Sequence, residues 1–167
     1  MQAPALIVIM GVSGVGKSTI GVELARRMGV GFLEGDSLHP KANIDKMSAG
    51  IPLNDDDRFP WLDVIGVHLE AARSQGKSLV VTCSALRRIY RDRLRGHVRG
   101  RLQFILLDVP RQLIAARLEQ RAGHYMGANL LDSQLNTLEL AGPGEELVTL
   151  DGTLPVDTLV TAILDGP

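Results

Sequence analysis

A chain of 167 residues is the size of one domain, and a single hydrophobic core is expected. Lys and Arg number 18 against 19 Asp and Glu, which provides no broad cationic face for nucleic acid, and the lone cysteine, Cys83, excludes an internal disulfide. The apolar opening MQAPALIVIMG lacks a basic n-region and is too short to span a bilayer, so a cytoplasmic protein without membrane or nucleic-acid partners is expected.

Ala5–Met10 (ALIVIM) is a continuous apolar run, the pattern of a strand covered on both faces. After a glycine-rich turn, residues 17–29 place Ile20, Leu24, Ala25 and Met28 at helical spacing, with Gly29 as the stop. Residues 31–35 read as a second strand, and a short helix lies between Pro40 and Gly50. The stretch PLNDDDRFPW (52–61) reads as an acidic loop, with a helix beginning after Pro60 and running to Ser74. A third strand is predicted over 78–83, a basic helix over 86–95, a fourth strand over 101–107 and a helix over 111–121. A polar, glycine-rich segment (123–128) precedes an amphipathic stretch at 130–140, a strand at 147–150 and a last helix at 156–164. Alternation of buried strands with helices predicts an α/β, three-layer P-loop NTPase fold: a five-stranded, mostly parallel sheet with a helical lid at about 121–138. Residues 1–167 are expected to form one P-loop kinase domain.

The chemistry is concentrated in GVSGVGKST, residues 11–19, which fits G-x-x-x-x-G-K-[ST] between a strand and a helix. Gly11, Gly14 and Gly16 let the backbone turn its N–H groups toward phosphates, and Val12, Ser13 and Val15 complete the cradle. Lys17 is placed to reach the β- and γ-phosphates and Ser18 to ligate Mg²⁺, and Thr19 ends the nucleotide-binding loop. The implied nucleotide is ATP: no guanine-reading Asn/Thr-Lys-x-Asp motif is present, and the third strand ends in Thr-Cys without the acid of many motor ATPases. Both features favour a small kinase. Asp36, just after the second strand, is a candidate to hold the acceptor hydroxyl, take its proton and contribute to the metal site; the competing reading is a turn or N-cap aspartate. Arg117 and Arg121, four apart on one helical face before the lid, are candidates to cover the transferring phosphoryl, against a solvated basic face. Arg87 is a candidate for an anionic substrate, or simply basic surface. The histidines and Cys83 lack zinc-ligand spacing.

Four blocks together resemble the gluconokinases, small P-loop kinases related to shikimate and adenylate kinases: the loop at 11–19, GDSLHPKANIDKMSAGIPLNDDDRFPWL (35–62), TCSALRRIYRDRLR (82–95), and RAGHYM (121–126) with LLDSQLNTLE (130–139). The resemblance implies transfer from ATP to D-gluconate, giving ADP and 6-phospho-D-gluconate with Mg²⁺, by an enzyme of a kind commonly homodimeric. It also implies that His39 and Lys46 belong to the substrate side, that Arg58 clamps gluconate with Arg87 near the anionic end, and that Arg121 and His124 are lid residues. Among Asp55, Asp56 and Asp57, the D-R-x-P-W match favours Asp57 as the inward carboxylate, against a solvated turn residue. Other readings are a kinase for a different hydroxy acid such as shikimate, and a nucleotide-binding module without turnover.

Overall fold

A computed structural model describes residues 3–120 and 128–166. Strand β1 (Leu6–Met10) is buried along its whole length, as its unbroken apolar run requires. It leads into α1 (Lys17–Met28), β2 (Gly31–Glu34), a 3₁₀ turn (Gly35–Leu38), α2 (Lys41–Ser48) and α3 (Asp55–Ser74). Then follow β3 (Leu79–Thr82), α4 (Arg88–His97), β4 (Gln103–Asp108), α5 (Arg111–Glu119), α6 (Ala128–Thr137), β5 (Val148–Asp151) and α7 (Val156–Asp165).

The five strands run in the order β2-β3-β1-β4-β5, every neighbouring pair parallel. Because side chains alternate along a strand, β1 supplies two cores. Ile7 and Ile9 pack with Leu24 of α1, Ile114 of α5 and Leu159 and Val160 of α7. Leu6, Val8 and Met10 face the opposite layer, with Trp61, Leu62 and Ile65 of α3 and Tyr90 and Leu94 of α4. The chain leaves β1 for one edge, returns to β3, and crosses β1 to reach β4. That reversal opens a crevice at the carboxyl ends of the strands, where α/β proteins bind ligands.

Two boundaries differ from the sequence expectation. Helix α3 begins at Asp55, so most of the expected acidic loop is helical and Pro60 lies inside the helix. Asn54 caps it: its side chain accepts from Asp57 N at 2.8 Å, while Asp57 Oδ2 accepts from Asn54 N at 3.0 Å. Three aspartates in the first turn also suit the positive end of the helix dipole. The N–H that Pro60 lacks would have met the carbonyl of Asp56, and both residues are exposed, so water can replace that bond. The basic helix starts two residues later than expected, at Arg88, because Arg87 is its N-cap with extended backbone at φ −107° and ψ 150°, after Ala85 in a left-handed φ of 45°.

Candidate active site

The loop between β1 and α1 has the geometry of an anion cradle. Gly11, Gly14 and Gly16 sit at φ values of 143°, 89° and 98°, and a Cβ on Gly14 would come within 2.9 Å of Ile114 Cγ2. Val12 and Val15 are buried in the core below and anchor the loop there. Gly16 is the N-cap of α1 and offers no side-chain acceptor, so the first amides of that helix are open to a phosphate. Lys17 Nζ donates to the carbonyls of Gly11 and Val12 at 2.8 and 2.9 Å. Arg117 donates from α5 to the Gly14 carbonyl at 3.2 Å. Beside them a groove runs past Thr19 toward residues 152–154, the turn after β5.

Sequence reasoning missed the carboxylate beneath this loop. Glu34 Oε2 accepts from the Ser18 hydroxyl at 2.5 Å, and Glu34 Oε1 from the Thr82 hydroxyl at 2.6 Å. Glu34 stands opposite Thr82 in the β2–β3 ladder. The acid absent from the end of β3 is therefore supplied by the neighbouring strand. The E-x-D spacing of Glu34 and Asp36 at a strand end was the available signal. Ser18, Glu34 and Asp36 line one pocket beside the loop and present oxygen atoms only, a donor set suited to a hard divalent cation. Among the described residues no group of three or more His, Cys, Asp or Glu could hold a metal ion.

A second cavity adjoins the loop. Ser13, Lys17, Asp36, His39, Arg58 and Gln134 line it, with Leu53, Trp61, Leu86 and Leu130 among its apolar walls. Asp36 reaches it from the 3₁₀ turn, Arg58 from α3 and Gln134 from α6, which Leu131 docks on the core. Gln134 Oε1 accepts from Ser13 N at 2.8 Å and so ties this helix to the phosphate loop. His39 stacks on Trp61 with ring centroids 4.0 Å apart. Asn43 Nδ2 donates to the Asp57 carbonyl at 2.9 Å and lies 3.1 Å from His39 Nδ1. A carbonyl can only accept, so the Asn43 amide has one allowed orientation, His39 Nδ1 is an acceptor, and the ring proton sits on Nε2. That nitrogen is 3.9 Å from Asp36 Oδ1. Burial lowers the His39 pKa, against the opposing pull of Asp36, and favours a neutral ring that donates toward the cavity.

Lys46, Asp57 and Arg87 stand outside this lining. Lys46 Nζ donates to Asp57 Oδ2 at 2.7 Å, and this bond, with the backbone bond from Asn54, holds the Asp57 carboxyl below its usual pKa. Asp57 thus fastens the start of α3. The carboxylate linked to Arg58 is instead that of Asp55, through Tyr90. Arg87 pairs with Asp55 at 3.0 Å. Arg121 and His124 lie outside the described residues. Cys83 is buried, which pushes its thiol up to about 12 and leaves it unreactive.

A protein-family model described as an AAA domain matches residues 6–140. The chain is 44% identical over 161 residues to the gluconokinase of Gluconobacter oxydans (strain 621H), covering 96% of this chain and 90% of that protein. The crystal structure of a gluconokinase from Sinorhizobium meliloti 1021 superposes with a TM-score of 0.87 at 45% identity, covering 99% of this chain and 93% of the other. An unliganded sugar kinase from Janibacter sp. HTCC2649 superposes with a TM-score of 0.91 at 42% identity, covering 97% and 93%. Likeness of this degree, sustained over nearly the full length of each pair, means that the chain belongs to the gluconokinase family and carries an AAA domain.

Proposed function

We propose that the protein transfers the γ-phosphoryl group of ATP to D-gluconate, giving ADP and 6-phospho-D-gluconate. The observation that carries this reading is the cavity in which Asp36, His39 and Arg58 surround an acceptor position directly against Lys17 and the phosphate loop. Gluconate has a carboxylate at one end and a primary hydroxyl at the other. Arg58 binds the carboxylate with two parallel N–H groups, a geometry that a lysine cannot reproduce. Asp36 holds the hydroxyl and takes its proton as the oxygen attacks in line, while the Nε2–H of His39 donates to the sugar acid beside it.

Lys17 and the N-terminal amides of α1 offset charge on the transferring group, joined by Arg117 and, from the lid, Arg121. His124 is assigned to the same closing segment, and Lys46, Asp57 and Arg87 to the outer wall of the gluconate site. Mg²⁺, when bound, would supply positive charge beside the transferring phosphoryl group. Ser18 and Asp36 would hold it, with Glu34 accepting from the Ser18 hydroxyl and so orienting it. We also place the protein in the cytoplasm as a homodimer without nucleic-acid or membrane partners. A net charge of −1 supports the first exclusion. The second rests on the finding that no described helix is long and apolar enough to cross a membrane.

The deciding experiment is ADP release from ATP and Mg²⁺ with D-gluconate, with shikimate, and with no acceptor. Release that depends on gluconate is the expected result. Release driven equally by shikimate would move the assignment to another hydroxy acid, and ATP binding with no acceptor-dependent release would remove the kinase reading.

A further inference from the structure

Outside the residues that line the acceptor cavity, the Arg58 guanidinium meets a buried phenol. Arg58 Nη1 donates to the Tyr90 hydroxyl at 2.8 Å, and that hydroxyl donates to Asp55 Oδ1. Asp55 Oδ2 accepts from Arg87 Nη1 at 3.0 Å. Both guanidinium groups also lie over the Tyr90 ring, with their central carbons 5.3 and 5.8 Å from its centroid. Phe59 meets the ring edge-on at 6.4 Å. Tyr90 itself is 1% exposed, so ring and hydroxyl are fixed by packing from α3 and α4.

A phenol has one proton to give. Here Asp55 receives it, which leaves the lone pairs of the oxygen for Arg58. Burial, reinforced by the hydrogen bond to Asp55, raises the Tyr90 pKa and keeps the hydroxyl protonated. Arg58 is thus held by a neutral acceptor at one nitrogen, and its positive charge is not cancelled by a directly bonded carboxylate. The direct carboxylate bond of Asp55 goes to Arg87, which stands outside the cavity.

We propose that Tyr90 is a positioning residue for acceptor recognition: its hydroxyl, anchored by the Asp55–Arg87 pair, orients Arg58 so that the remaining N–H groups face the carboxylate of the sugar acid. This deepens, and rests on, the assignment of Arg58 as the gluconate clamp. A flexible arginine must lose its rotamer freedom on binding, whereas one already fixed by Tyr90 and stacked on its ring has lost it in the free enzyme.

The test is Tyr90→Phe, which keeps the ring, its packing and its stacking and removes one oxygen. The expected result is a rise of about tenfold in the gluconate KM, the loss appropriate to one hydrogen bond from a charged donor. The kcat and the ATP KM should change by less than about twofold, as a positioning role for ground-state binding requires. In an Arg58→Ala background the same change should have no further effect on the gluconate KM, because Tyr90 acts through Arg58. An unchanged KM in the single variant, an equal further rise in the double variant, or a parallel rise in the ATP KM would each overturn the inference. If the wild-type protein releases no ADP with gluconate, the functional reading falls and takes the inference with it. With gluconate-dependent ADP release intact, a gluconate KM that is indistinguishable between wild type and Tyr90→Phe removes the inference alone.

Discussion

Glu34 and Asp36 stand two residues apart at the end of the same strand, yet their surroundings give them different work. Glu34 accepts from two hydroxyls, Ser18 and Thr82, and its oxygens are committed to the wall beneath the phosphate loop. The Asp36 side chain is 64% exposed, and His39 approaches it only to 3.9 Å, so its carboxylate is open to an incoming hydroxyl. Replacing Asp36 by Asn keeps the shape and removes the base. Turnover should fall by about 10²–10⁴-fold while the ATP dissociation constant moves little. Steady-state kinetics with an equilibrium ATP titration checks this, and undiminished turnover would exclude Asp36 from proton transfer. Asp36 was readable in the sequence because position alone, just past a strand end, marks it. Glu34 offered only its spacing to Asp36, and Tyr90 no signal, because what defines each is a partner on another element: Thr82 across a strand pair, and Arg58 from α3.

At the scale of elements, the stretch NDDDRFPW shows which local signal prevails. Proline suggested a helix start after Pro60, but the reciprocal bonds of Asn54 and Asp57 begin α3 six residues earlier, at Asp55. A cap satisfies donors that have no other partner, whereas a proline near the exposed start of a helix forfeits one bond that water can replace. The consequence is functional, because Arg58 becomes a helical residue in the first turns of α3. Removing the cap with Asn54→Ala should lower stability by about 1 kcal/mol. It should also raise the gluconate KM more than the ATP KM, since the loosened end carries Arg58 and the phosphate loop is elsewhere. A thermal melt and the two KM values test both parts; an ATP KM that rises as much as the gluconate KM would contradict the second.

Across the whole molecule, the layers were legible because β1, β3 and β4 are apolar runs that only a two-sided cover can bury. What ties the distant segments together was not legible. The side chains of Arg91 and Glu145 are both fully buried and 2.6 Å apart, and Arg95 adds a second bond to Glu145 at 2.8 Å. Arg91 also donates to the carbonyls of Ala85 and Leu86, fixing the left-handed bend at Ala85 and the Leu86 wall of the acceptor cavity. No spacing rule joins residues 54 positions apart.

The hydrogen bond from Arg91, and then that from Arg95, holds the Glu145 carboxyl at about 2, against 4.5 when unpaired. The folded state therefore binds this proton more weakly than the unfolded chain does. The stabilisation is complete above about pH 4.5 and is lost as the pH falls toward 2. Glu145→Gln at neutral pH leaves Arg91 buried without its counter-ion and should cost about 3–5 kcal/mol. The melting temperatures of wild type and variant should then lie far apart at pH 7 and converge as the pH is lowered through the window below 4.5. A gap that stays constant down to pH 3 would show that the buried pair does not govern this part of the acid response, because a neutral glutamine cannot follow the titration of a carboxylate.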